Sequence, residues 1–98
     1  MANRITRKTA EILCSRLNET LGLPAECYIK GEDGGHVAQV GCIHLYGVNG
    51  GYNVCQLANS AGGVRVMAYG LSAREAYDWL AAALEGVRLA RTTTATFH

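Results

Sequence analysis

Ninety-eight residues, 49% hydrophobic and 17% charged with a formal net charge of +1, fit one domain with an ordinary core. That balance argues against disorder, against an acidic mimic of DNA, and against general attraction to nucleic acid or anionic membrane. No apolar run approaches the roughly 20 residues of a membrane span. The opening MANRITRKTAEIL has basic residues without an apolar signal core, so a cytoplasmic protein is expected.

The first periodic segment is TRKTAEILCSRLNETLGLP. Ala10, Leu13, Cys14, Leu17 and Leu21 recur at spacings of three and four, which predicts a helix with one apolar stripe. Thr6 is the expected N-cap, Gly22 the left-handed stop, and Pro24 prevents continuation. Residues 26–69 then lack proline and are punctuated by glycine, which predicts strands and turns. ECYIK reads as a short strand, GEDGG as a turn with Asp33 capping locally, and HVAQVGCIHLY as a longer strand with a bulge at Gly41. GVNGG turns into YNVCQLA, and NSAGG turns into VRVMAY. Asn49-Gly50 is a strong hairpin signal because both central turn positions tolerate left-handed geometry. Closing that loop is expected to bring Tyr46 and Tyr52 together across the strand pair.

SAREAYDWLAAALEGVRLAR opens with a capping box, Ser72 followed by Glu75, and carries an apolar stripe of Ala76, Leu80, Ala83, Leu84 and Val87. Gly86 lowers helicity, so the helix is expected to end soon after it. The fold class is therefore α+β: an N-terminal helix, an antiparallel meander of three to four strands and a C-terminal helix, both helices on one sheet face. Residues 1–91 form the expected domain and 92–98 a flexible tail.

The glycine stretches fit no nucleotide fingerprint. Neither carries the lysine of a phosphate loop, and neither opens a helix. Cys14, Cys27, Cys42 and Cys55 form no CxxC pair and, without an export signal, are expected to be reduced and structural. Cys42 and His44 would share a strand face, but two ligands do not make a site, so no metal or other cofactor is expected. Ser15, Ser60 and Ser72 have no recognisable histidine or acid partner, and Glu32 and Asp33 read as a solvated turn pair. No catalytic residues follow, and the protein is not expected to be an enzyme.

Two binding surfaces remain. Tyr46, Asn49, Tyr52 and Asn53 gather aromatic and amide groups around one loop, a composition suited to contact with another protein. Arg4, Arg7, Lys8 and Arg16 offer the alternative, phosphate contacts from the first helix. The open sheet face also admits a homodimer.

The order helix–strands–helix, with SAREAYDWLAAAL, resembles the double-stranded RNA-binding domain. That family meets phosphates through lysines where this chain has Arg74, Glu75 and Asp78. LCSRLNETLGLP, GGHVAQVGCIHLYGVNGGYNV and AGGVRVMAYGLSAREAYDWLAAAL resemble a group of small uncharacterised proteins of bacteriophages and prophages. That resemblance implies phage origin and action by binding a host or phage protein, for example as an anti-CRISPR-like inhibitor of host defence. It implies no site residues.

Overall fold

A computed structural model describes residues 5–96. In chain order its elements are α1 (Arg7–Leu21), β1 (Tyr28–Lys30), β2 (His36–Ala38), β3 (Ile43–Val48), β4 (Gly51–Leu57), β5 (Val64–Leu71) and α2 (Ala73–Thr96). The α+β class and the helix–strands–helix order are as expected. Among the described residues, however, the strands number five and form two antiparallel sheets, β1–β2 and β3–β4–β5, in place of one meander.

Both helices have the termini that their sequences dictate. Thr6 Oγ1 accepts from the Thr9 amide at 3.3 Å. Past the end of α1, the Gly22 and Leu23 amides donate to the Glu19 and Asn18 carbonyls, the paired bonds of a Schellman cap. At α2 the capping box is reciprocal: the Glu75 amide donates to Ser72 Oγ at 3.1 Å and the Ser72 amide to Glu75 Oε1 at 2.9 Å.

The expected end near Gly86 is corrected, since α2 runs on to Thr96 and takes in most of the segment expected as a tail. Two tethers offset the glycine's cost. Arg88 pairs with Glu85 one turn back, and Arg91 Nη2 donates to the Thr20 carbonyl of α1 at 2.7 Å.

The long strand expected over residues 36–46 is two strands. Gly41, at φ +94°, sits in a turn in place of the expected bulge. Its amide donates to the Leu57 carbonyl at 2.8 Å, and the Cys42 amide donates back to Gln39. The chain thereby leaves the small sheet and enters the large one.

The β3–β4 hairpin pairs Val48 with Gly51 around Asn49-Gly50. Among the described residues no non-glycine has positive φ, so Asn49 stays in the ordinary region and only Gly50, at +74°, is left-handed. That sign pattern belongs to a type II turn, which needs glycine at its second central position alone. Gly51 serves a different purpose, because a Cβ there would lie 2.7 Å from the Leu71 carbonyl oxygen of β5.

The large sheet has a core on each face. On one face α1 and α2 bury Leu13, Cys14, Leu17, Ile43, Leu45, Val54 and Leu80. On the other, Leu57 packs with Ala38 and Cys42 beneath the small sheet. The expectation of four reduced thiols is also corrected: Cys27 and Cys42 form a disulfide, their Cα atoms 5.2 Å apart. Nothing local in sequence announces it. The pairing arises because β2 folds back beside the entry to β1, where the Gln39 amide donates to the Cys27 carbonyl at 2.7 Å.

At the outer edge of β3, buried Asn18 of α1 takes the place of a neighbouring strand. Its Nδ2 donates to the Ile43 carbonyl at 2.9 Å, and its Oδ1 accepts from the Ile43 amide at 2.8 Å.

Candidate partner-binding face

Strand alternation decides which side chains can meet. In the β3–β4 register, Leu45 lies opposite Val54 and Gly47 opposite Tyr52, all turned toward the helices. His44 lies opposite Cys55 and Tyr46 opposite Asn53, turned the other way. The expected Tyr46–Tyr52 pair is therefore corrected. Their positions differ from a true cross-strand pair by one residue, and one residue reverses the face.

The four residues read as a partner surface thus occupy three places. Tyr46 is 60% exposed on the outward face. Asn53, half-buried beside it, accepts from the Gly70 amide at 2.8 Å through Oδ1. That bond holds the irregularity where the β4–β5 register shifts. Asn49 is exposed at the turn. Tyr52 packs against the helix-side core, with the Arg7 guanidinium 5.6 Å from its ring centroid.

The residues proposed for phosphate contact are dispersed as well. Arg4 lies outside the described residues. Arg7 is paired with Glu11 at 3.1 Å, while Lys8 and Arg16 are exposed. At 3.6 residues per turn, Arg7 and Arg16 stand about 180° apart around α1, so they share no stripe.

The outward face forms a cavity of about 340 Å³ lined by Tyr28, His44, Tyr46, Asn53, Cys55 and Val66, among others. Tyr28 comes from β1, and its hydroxyl reaches the turn at Gly62. The floor is Cys55, a free thiol 1% exposed. Burial pushes its pKa up, so it is a protonated, apolar surface and not a nucleophile. Sequence reasoning missed this floor and the role of Tyr28. The outward alternation of His44, Tyr46, Asn53 and Cys55 was the available signal, once the strand register was known.

His44 is half-buried, and its Nε2 has no hydrogen-bond partner among the described residues. Burial pushes its pKa below the ordinary value of 6.5, opposed by a backbone hydrogen bond at Leu45. The folded chain therefore resists protonation there more than the unfolded chain does. The stability contributed by neutral His44 is complete above the unfolded value and is lost as pH falls from about 6.5 toward the lower folded value. Melting temperatures recorded from about pH 7.5 down to about 5 are expected to fall in that window, and His44→Gln to flatten the slope. An identical slope in the variant would remove His44 as the cause.

Compared with protein-family models, curated proteins and solved structures, the chain matches none of them. Among the described residues no helix is long and apolar enough to cross a membrane.

Proposed function

We propose that this chain is an accessory protein of the phage or prophage type, which binds another protein in the host cytoplasm and blocks a component of host defence. The observation that supports a protein partner is the hairpin end of the outward sheet face. There Tyr46 stands 60% exposed beside Asn53, with Tyr28 and Val64, 47% and 46% exposed, on the border of the same cavity. Aromatic rings with an amide and an apolar floor suit the centre of a protein interface, where a few such anchors supply most of the affinity. The near-neutral charge and the dispersed cations of α1 do not favour a phosphate partner.

Affinity capture from host lysate tests this when wild type is compared with face and helix variants. Tyr46→Ala is expected to weaken capture by about 2 kcal/mol, roughly 30-fold, and to leave the melting temperature nearly unchanged because the ring is exposed. Lys8→Glu and Arg16→Glu are expected to bind like wild type. Recovery of nucleic acid without protein, or equal capture by Tyr46→Ala, would overturn the reading.

A further inference from the structure

Three of the four cysteines converge on one atom. Cys14 Sγ donates to the Ile43 carbonyl oxygen at 3.2 Å, and the Sγ atoms of Cys27 and Cys42 both lie 3.8 Å from that same oxygen. All three sulfurs therefore fall within a sphere of 3.8 Å radius, brought there by α1, the entry to β1 and the entry to β3. Cys55 is elsewhere, on the floor of the outward cavity. With Cys27 and Cys42 bonded to each other, no group of three His, Cys, Asp or Glu side chains among the described residues is placed to hold a metal ion. Opening that bond changes the inventory to three thiols on three separate elements.

We propose that the reduced chain holds one thiophilic divalent cation, Zn²⁺, between Cys14, Cys27 and Cys42. Three thiolates are a common part of zinc sites, and soft sulfur ligands select zinc over harder cations. Two neighbouring features suit the site. Asn18 Nδ2 lies 3.5 Å from Cys42 Sγ, an N–H aimed at a sulfur as in the outer shell of thiolate–metal centres. A cavity of about 240 Å³ borders the three cysteines and is lined also by Glu11, Ser15 and His44, which gives an entry path and room for water as fourth ligand. Burial and the nearby Glu11 carboxylate push the Cys14 thiol up to about 12, because a lone anion is disfavoured there. A divalent cation reverses that balance, and the same carboxylate then attracts it.

The chemistry balances with a thiol-class reductant. Two electrons and two protons convert the disulfide to two thiols while the reductant becomes a disulfide. Zn²⁺ then displaces one proton from each of three thiols. A reducing compartment, such as the cytoplasm of the proposed function, supplies that reductant. The site itself stands whether or not the binding proposal does.

Cobalt titration of the full chain tests the site, since Co²⁺ in thiolate coordination gives a sulfur-to-metal charge-transfer absorption that needs no knowledge of activity. With a phosphine reductant the band is expected to saturate at one ion per chain and to be displaced by Zn²⁺. The oxidised chain is expected to give none. Cys14→Ser is expected to bind at least 10-fold more weakly, and Cys55→Ser as wild type. Circular dichroism of the oxidised variants establishes that they are folded, and Cys14→Ala substitutes if the serine variant is not. Absence of the band in reduced wild type overturns the proposal. So does equal cobalt affinity in Cys14→Ser or in urea-unfolded reduced chain.

Discussion

Replacing Asn18 with alanine is expected to destabilise the fold by about 3 kcal/mol. The residue is 2% exposed on α1, and its amide satisfies both the amide and the carbonyl of Ile43, 25 residues away. Removing it strands the buried Ile43 amide and leaves the Ile43 carbonyl with only the weak Cys14 thiol donor, and a buried group without a partner costs roughly 1–3 kcal/mol. Water entering the adjoining cavity of about 240 Å³ returns part of this. For a domain near this size, 1 kcal/mol shifts the melting temperature by about 4–8 °C, so a fall of about 12–24 °C is expected. Glu19→Ala, one residue along and exposed, is expected to change stability by less than about 0.5 kcal/mol. Thermal melts of the two variants decide the matter. Comparable melting of Asn18→Ala and Glu19→Ala would mean that the Ile43 backbone finds other partners and that α1 is held to β3 by its apolar stripe alone.

What could be read from the sequence divides along the range of the interactions. The stripe Ala10, Leu13, Cys14 and Leu17, the caps at Thr6 and Gly22, and the Ser72–Glu75 box depend on residues within four positions of one another. All were legible. So was the Asn49-Gly50 hairpin, although the turn type was not, since it depends on how the sheet twists around it. The Tyr46–Tyr52 expectation failed because it rested on proximity along the chain without a register, and a slip of one residue changes the face. Asn18 left one clue: it lies four residues after Cys14, inside the apolar stripe, where a polar residue must find a buried partner. The identity of that partner is a tertiary fact. The outward cavity is tertiary in the same sense, because Tyr28 reaches His44 and Cys55 only after the chain has doubled back twice.

The position of the disulfide links this cavity to the edge of β3. Cys27 directly precedes Tyr28, the residue that β1 contributes to the cavity, and Cys42 directly precedes β3, which contributes His44 and Tyr46. Whatever fixes the cysteines fixes the spacing of these rings. A change at the sulfur cluster is thereby able to reach the proposed binding face directly through Tyr28 on one side and across Ile43 to His44 on the other.

Reduction of Cys27–Cys42 in metal-free protein is expected to lower stability by about 3 kcal/mol, the estimate for cross-linking a loop of about 15 residues, which matches the sequence separation of 15. The loss is expected to be uneven. As strands, β1 and β2 have three residues each and pair with one another. Beyond that the Ala38 amide donates to the Ser60 carbonyl at 3.4 Å, and the core beneath them is the small cluster of Ala38, Cys42 and Leu57. The helix-side core, by contrast, draws on both helices and all three strands of the large sheet. Amides of 28–38 should therefore exchange with solvent well before those of α1 or β4 when reductant is added under chelation. The melting temperature should fall by about 12–24 °C. Cys27→Ala/Cys42→Ala should melt as low as the reduced wild type and be indifferent to reductant, which separates the cross-link from any general effect of the reagent. Equal melting of oxidised and reduced wild type, with 28–38 still protected, would show that the small sheet is held by its own packing. If the expected loosening is seen, Tyr28 is released with β1. Partner capture should then weaken in the reduced, metal-free chain without any substitution on the binding face.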